Sequence, residues 1–132
     1  MSLLVDEVGA YLHAHGQGTV ATDIFLLHRP ATPVECVSIH ATGGYPSDGY
    51  TQREHPTIML FARSATPNGA LRKAYTLYGL LHGKTNLTLG SLHALTIDAV
   101  APPAYLGEES SGSSPAYLAS LNVVVDLRTP SS

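Results

Sequence analysis

The stretch from Pro56 to Gly83 constrains this chain most. It reads as one apolar strand, a turn and one amphipathic helix. Pro56-Thr57-Ile58-Met59-Leu60-Phe61-Ala62-Arg63 is apolar at both alternating sets of positions, the pattern of a strand in mid-sheet or covered on both faces. Pro67 ends it, because proline cannot continue a ladder and pushes Thr66 toward an extended backbone. Asn68 then stands where a helix N-cap is expected. Leu71, Ala74, Tyr75, Tyr78 and Leu81 follow at helical spacing, flanked by Leu77 and Leu80, with Arg72, Lys73 and Thr76 on the other side. Gly83 can take the left-handed conformation that closes a helix. Such a helix must bury its stripe, and the adjoining strand implies a sheet beneath it.

Upstream, Leu4, Val8, Tyr11 and Leu12 make the stripe of a first helix, with Ser2 placed to cap it and Asp6 and Glu7 near its positive end. Ile24–His28 and Val34–His40 read as two strands joined through the proline-rich turn Arg29–Pro33, and are expected to form a hairpin. Ala41–His55 carries successive turn signals and is expected as a long loop, of the kind that tends to be functional. Downstream, Leu92–Val100 alternates until Pro102-Pro103 stops it. Leu106–Pro115 is small and polar, the composition of a flexible connection. The last segment has the cleanest period of two: Tyr117, Ala119, Leu121, Val123, Val125 and Leu127 share one face, and Ser120, Asn122, Asp126 and Arg128 the other. Thr129–Ser132 is expected to fray. The order predicts one α+β domain over residues 1–132. It would hold a mixed or mostly antiparallel sheet of about five strands, with two helices packed on its dry face.

Composition removes several functions. Seven dispersed Lys and Arg residues and a formal charge of −3 do not make a duplex-binding surface. The single Cys36 excludes an internal disulfide or a cysteine-based zinc cluster. No secretory signal pattern and no apolar run of roughly 20 residues is visible, so the expectation is a soluble cytoplasmic product with no membrane partner.

Candidate chemistry fails on spacing. Gly83-Lys84-Thr85 resembles the end of a phosphate-binding loop, but Tyr78 occupies the position of the required earlier glycine, and the motif follows a helix instead of opening one. The seven histidines share no ligand spacing. Cys36 and His40 on one strand lie about 13 Å apart, too far for a nucleophile and its base. Glu108-Glu109 has no partner acid in view. The expectation is no catalytic residue, no metal and no cofactor. What remains in want of a partner is the two long loops and the polar face of the last strand.

Taken in order, several pieces resemble the tail terminator (tail completion) proteins of long-tailed bacteriophages, often labelled minor capsid proteins. They are the helix Leu3–His15, Asp23-Ile24-Phe25 before a proline turn, and Thr42-Gly43-Gly44-Tyr45-Pro46. They continue with His55–Arg63 and its helix, then Pro102-Pro103-Ala104-Tyr105-Leu106-Gly107-Glu108-Glu109 before a final strand. The chain departs from the family where a basic residue often precedes the last strand; here stands Ser110-Ser111-Gly112-Ser113-Ser114. The resemblance implies a structural virion protein at the head-proximal end of the tail, assembled in the bacterial cytoplasm. Such a protein forms a homo-oligomeric ring of six that caps the tail tube, ends its polymerisation and meets the head–tail connector, with DNA only as passing cargo in the lumen. Gly43, Gly44, Asp48, Tyr50, Arg53, Arg63, Glu108 and Glu109 are the interface residues expected on this reading. Alternatives are a neck connector or stopper protein and, from another class, a small-molecule-binding domain.

Overall fold

The computed structural model describes residues 3–30, 34–43, 45–48, 53–90, 92–109 and 115–128. Two helices, α1 (Leu4–Ala14) and α2 (Pro67–Leu81), lie on one face of a mixed, mostly antiparallel sheet. Among the described residues the sheet has nine strands: β1 (Ile24–Leu26), β2 (Cys36–Ala41), β3 (Tyr45–Asp48), β4 (Arg53–His55), β5 (Thr57–Ser64), β6 (Lys84–Leu89), β7 (Leu92–Ala99), β8 (Ala104–Glu108) and β9 (Tyr117–Arg128). The fold is α+β, as expected, with the sheet larger than expected.

β9 is the spine. On one side it pairs antiparallel with β5 and β4; on the other with β7 at its C-terminal half and β8 at its N-terminal half. Its alternation explains why. Ala119, Leu121, Val123, Val125 and Leu127 are buried under the helices together with Val37 and Ile39 of β2, Ile58, Leu60 and Ala62 of β5, and Ala94 and Ile97 of β7. Val5, Val8 and Leu12 of α1 and Ala70, Ala74, Leu77 and Leu81 of α2 close the same core. The Tyr11 hydroxyl donates to Leu80 O at 2.9 Å, tying the two helices together.

Several local expectations are corrected. β1 and β2 pair parallel, not as a hairpin: Ile24 faces Val37 and Leu26 faces Ile39. Leu27, at φ +67°, gives the last hydrogen bond to β2, its N–H donating to Ile39 O at 2.8 Å, and parallel pairing needs a crossover connection where a hairpin needs only a turn. The segment expected as one long loop contains the hairpin β3–β4, in which Tyr45 faces His55 and Asp48 faces Arg53. β4 and β5 share a single register against β9, with Glu54 facing Leu127 and Thr57 facing Val124. They act as one strand interrupted at Pro56, whose carbonyl still accepts from Val125 N at 3.0 Å. β6 was hidden because Lys84-Thr85-Asn86-Leu87-Thr88-Leu89 buries only Leu89 fully. β8 runs into the first residues of the stretch expected as a flexible connection, and almost all of it is exposed, so it carries no burial signature.

The helices also differ in detail. The N-cap of α2 is Thr66, whose hydroxyl accepts from Gly69 N at 3.0 Å, and not Asn68. Proline is favoured at the first helical position, where its missing N–H is not needed, so Pro67 starts the helix two residues earlier. The buried stripe is rotated to Ala70, Ala74, Leu77 and Leu81, leaving Tyr75 47% exposed. The N-cap of α1 is Leu3, without a side-chain cap; Ser2 lies outside the described residues.

Candidate assembly surfaces

On β5 the side chains alternate between the helical core and the opposite face. Phe61 and Arg63 point to that opposite face, where the crossover from β1 to β2 and the end of β8 meet them. Among the described residues Arg63 is the largest fully buried side chain, 1% exposed. Its Nη1 donates to Glu109 Oε1 at 2.8 Å, Nη2 to Pro30 O at 2.5 Å and Nε to Val34 O at 3.2 Å. Glu109 also accepts from Arg29, whose Nε and Nη2 grip the carboxylate while its guanidinium lies 4.6 Å over the Phe61 ring. A guanidinium fork held on two sides in this way is far more specific than a surface ion pair. The hydrogen bonds from Arg29 hold the Glu109 carboxyl below the usual glutamate range; burial opposes them and Arg63 reinforces them.

Glu109 N also donates to Ala116 O at 2.7 Å, so this residue closes the base of the connection into β9. A second carboxylate does similar work nearby. Glu35 accepts from Ser64 Oγ at 2.8 Å, from Ala65 N at 2.8 Å and from Lys73 Nζ at 2.9 Å, joining the start of β2 to the end of β5 and to α2. Burial pushes the Glu35 carboxyl up, but these donors together hold it below its usual value.

The remaining expected interface residues fall in three places. Gly43 follows β2, exposed, at φ +91°, with open space around it. Asp48 and Arg53 face each other in the β3–β4 hairpin. Glu108 is exposed at the end of β8. Gly44 and Tyr50 lie outside the described residues. Arg63 and Glu109, expected apart, come together, and Arg63 is a buried residue, not a surface one. Arg29 and Glu35 escaped the sequence reading; nothing in the spacing of a turn arginine marks it as the clamp on a glutamate 80 residues away.

The other chemistry-bearing groups are packed into the fold. Cys36 is buried, and burial pushes its thiol up, against nucleophilic use. His40 packs edge-on against Phe61, and burial, with Arg29 and His28 nearby, lowers its affinity for a proton. Among the described residues no three His, Cys, Asp or Glu side chains converge as a metal site. Among the described residues no helix is long and apolar enough to cross a membrane. An apolar cavity of about 170 Å³ opens between the start of α1, the end of β2 and the start of β5. It is smaller than the roughly 300–1,000 Å³ of ordinary ligand pockets.

The geometry defines a small α+β scaffold whose internal ion clusters hold its loops and strand ends in place. The chain belongs to the bacteriophage tail terminator protein family, whose model matches residues 11–127. It is a structural protein of the virion tail. No curated protein matches the sequence.

Proposed function

We propose that copies of this chain form a ring of six that caps the finished tail tube, ends its polymerisation and presents the head-proximal surface to the head–tail connector. Family membership sets the class. The observation that carries the reading is the Arg29–Glu109–Arg63 cluster. It joins the sequence pieces most telling of the family, the strand closing on Arg63 and the Leu-Gly-acid segment, and spends them inside the chain. Their work is to fix the base of the connection into β9 and the β1–β2 crossover, so that flanking surfaces meet neighbours in one geometry. Gly43, Asp48, Arg53 and Glu108 are then the residues of the expected set that meet neighbouring subunits, tube or connector, with Gly44 and Tyr50 beside them in sequence. On the face turned away from the helices Arg63 is neutralised by Glu109, and β9 presents the exposed Asn122 together with Asp126 and Arg128, one acid to one base. Such a face suits a lumen through which DNA passes without being held.

Electron microscopy of the concentrated protein, and of tails containing it, tests this reading. Six-fold rings located between tube and connector are expected. Density on the head side of the connector would instead favour a neck stopper.

A further inference from the structure

We propose that the apolar edge of β8 in one copy docks its Leu106 into the apolar cavity beside Leu27 of the next copy. This rests on the ring reading above and names the contact that builds the ring.

The other sheet edges that the side chains define are blunted. Val20 bridges Ile24 along the outer edge of β1, and His28 Nδ1 lies 3.0 Å from Leu26 O. β6 is broken by Asn86 at φ +50° and carries Lys84. These are the devices by which proteins stop strands from adding to an edge. Over its first three residues β8 carries no charge and no positive-φ residue, and the two prolines Pro102-Pro103 stand before the strand, not in it. Val100, Tyr105 and Leu106 are 63%, 45% and 53% exposed, and no charged residue stands between Val100 and Leu106. The register of β8 against β9 slips between Tyr105 and Gly107, the latter at φ +110°, so Leu106 stands out of the ladder as a bulge.

The cavity is the complementary feature. Leu3, Leu27, Ala41, Pro56 and Ile58 line it, and Leu3 and Leu27 are each 55% exposed at its mouth. Its 170 Å³ suits one large apolar side chain, not a ligand. It lies at the end of β2 and the start of β5, whereas Tyr105 sits on the row of Ala119 and Ala62. The two features are separated by three strand spacings, about 14 Å, and by four residues along β5, about 13 Å. They cannot meet within one chain. Between two copies they can, and because knob and socket are different surfaces the contact is head-to-tail, the type that closes into rings.

Two surface substitutions test this without touching the core. Leu106→Asp spoils the knob and leaves the socket; Leu27→Asp does the reverse. Circular dichroism and melting temperature verify that each folds. Each variant alone is expected to lose ring formation, with a subunit association constant lower by about 30-fold or more, the effect of losing a buried apolar anchor. Mixed together, the two are expected to give one-to-one dimers and nothing larger, since each pair has one intact contact and two spoiled outer faces. Rings from either folded variant alone, or a mixture that stays monomeric, would overturn the proposed contact while wild-type rings kept the ring reading intact. Wild-type protein that remains monomeric under assembly conditions would remove the ring reading itself, and this contact with it.

Discussion

Arg63 Nη1 lies 2.8 Å from Glu109 Oε1, joining the end of β5 to the residue that follows β8. The two partners are unequal: the arginine is 1% exposed and the glutamate side chain 25%. A charge that deeply buried is tolerable only with its acceptors in place. The carbonyls of Pro30 and Val34 supply part of that, and Glu109 supplies the negative charge. The cluster therefore costs little while intact and a great deal once one member is removed.

Replacing Glu109 by Gln keeps the shape and removes the charge. Glu109→Gln is expected to destabilise the fold by about 2–3 kcal/mol, seen as a lower urea midpoint at unchanged slope. Arg63→Lys is expected to cost a similar amount, because an ammonium cannot reproduce the fork that serves Glu109, Pro30 and Val34 together. A loss under about 0.5 kcal/mol for both would show the cluster to be solvated and incidental.

Stability should fall in two stages as pH is lowered. Glu109 and Glu35 have folded-state pKa values below the ordinary glutamate value of 4.5, so their contribution is complete above that pH and is lost as pH drops through their folded values. His40 is depressed below 6.5, so the unfolded chain takes its proton first and stability begins to decline from about pH 6.5 downward. Thermal melts from pH 8 to pH 3 check this. A His40→Phe variant should lose the upper stage and keep the lower one, whereas a single-stage profile in the wild type would contradict the assignment.

The register of α2 on the sheet is testable by paired substitutions. Leu77→Ala, in the core, is expected to cost about 2–5 kcal/mol, and Tyr75→Ala, at the surface, under about 0.5 kcal/mol. At the start of the same helix, Thr66→Ala should cost about 1 kcal/mol and Asn68→Ala much less. Guanidinium unfolding of the four variants gives the ranking; a reversed order in either pair would place the helix on its other face or shift its cap.

These two corrections show what was legible in the sequence. Both helices, β7 and β9 follow from hydrophobic period and β5 from its unbroken apolar run, because burial on a helix stripe, on alternate strand positions or on both faces leaves its mark on residue choice. The stripe of α2 shifted because Tyr75 and Tyr78 look like core residues, while the small Ala70 and Ala74 take the close approach to β5 and β9. The parallel pairing of β1 with β2 was not readable, since two prolines between short strands signal a reversal as readily as a crossover. β6 and β8 leave few buried apolar side chains and so leave no period, and β3 and β4 lie within a stretch whose turn signals dominate its sequence. Of the expected site, Arg63 and Glu109 were visible as residues, but their meeting depends on β8 and β9 pairing, which no local pattern encodes.

The most direct test of the account is tube growth. Purified tail-tube protein polymerised with and without this chain would be followed by light scattering and electron microscopy. The account predicts that the chain halts elongation at sub-stoichiometric amounts and sits as a ring at one tube end. Tubes that grow to the same length with the chain left free in solution would contradict it.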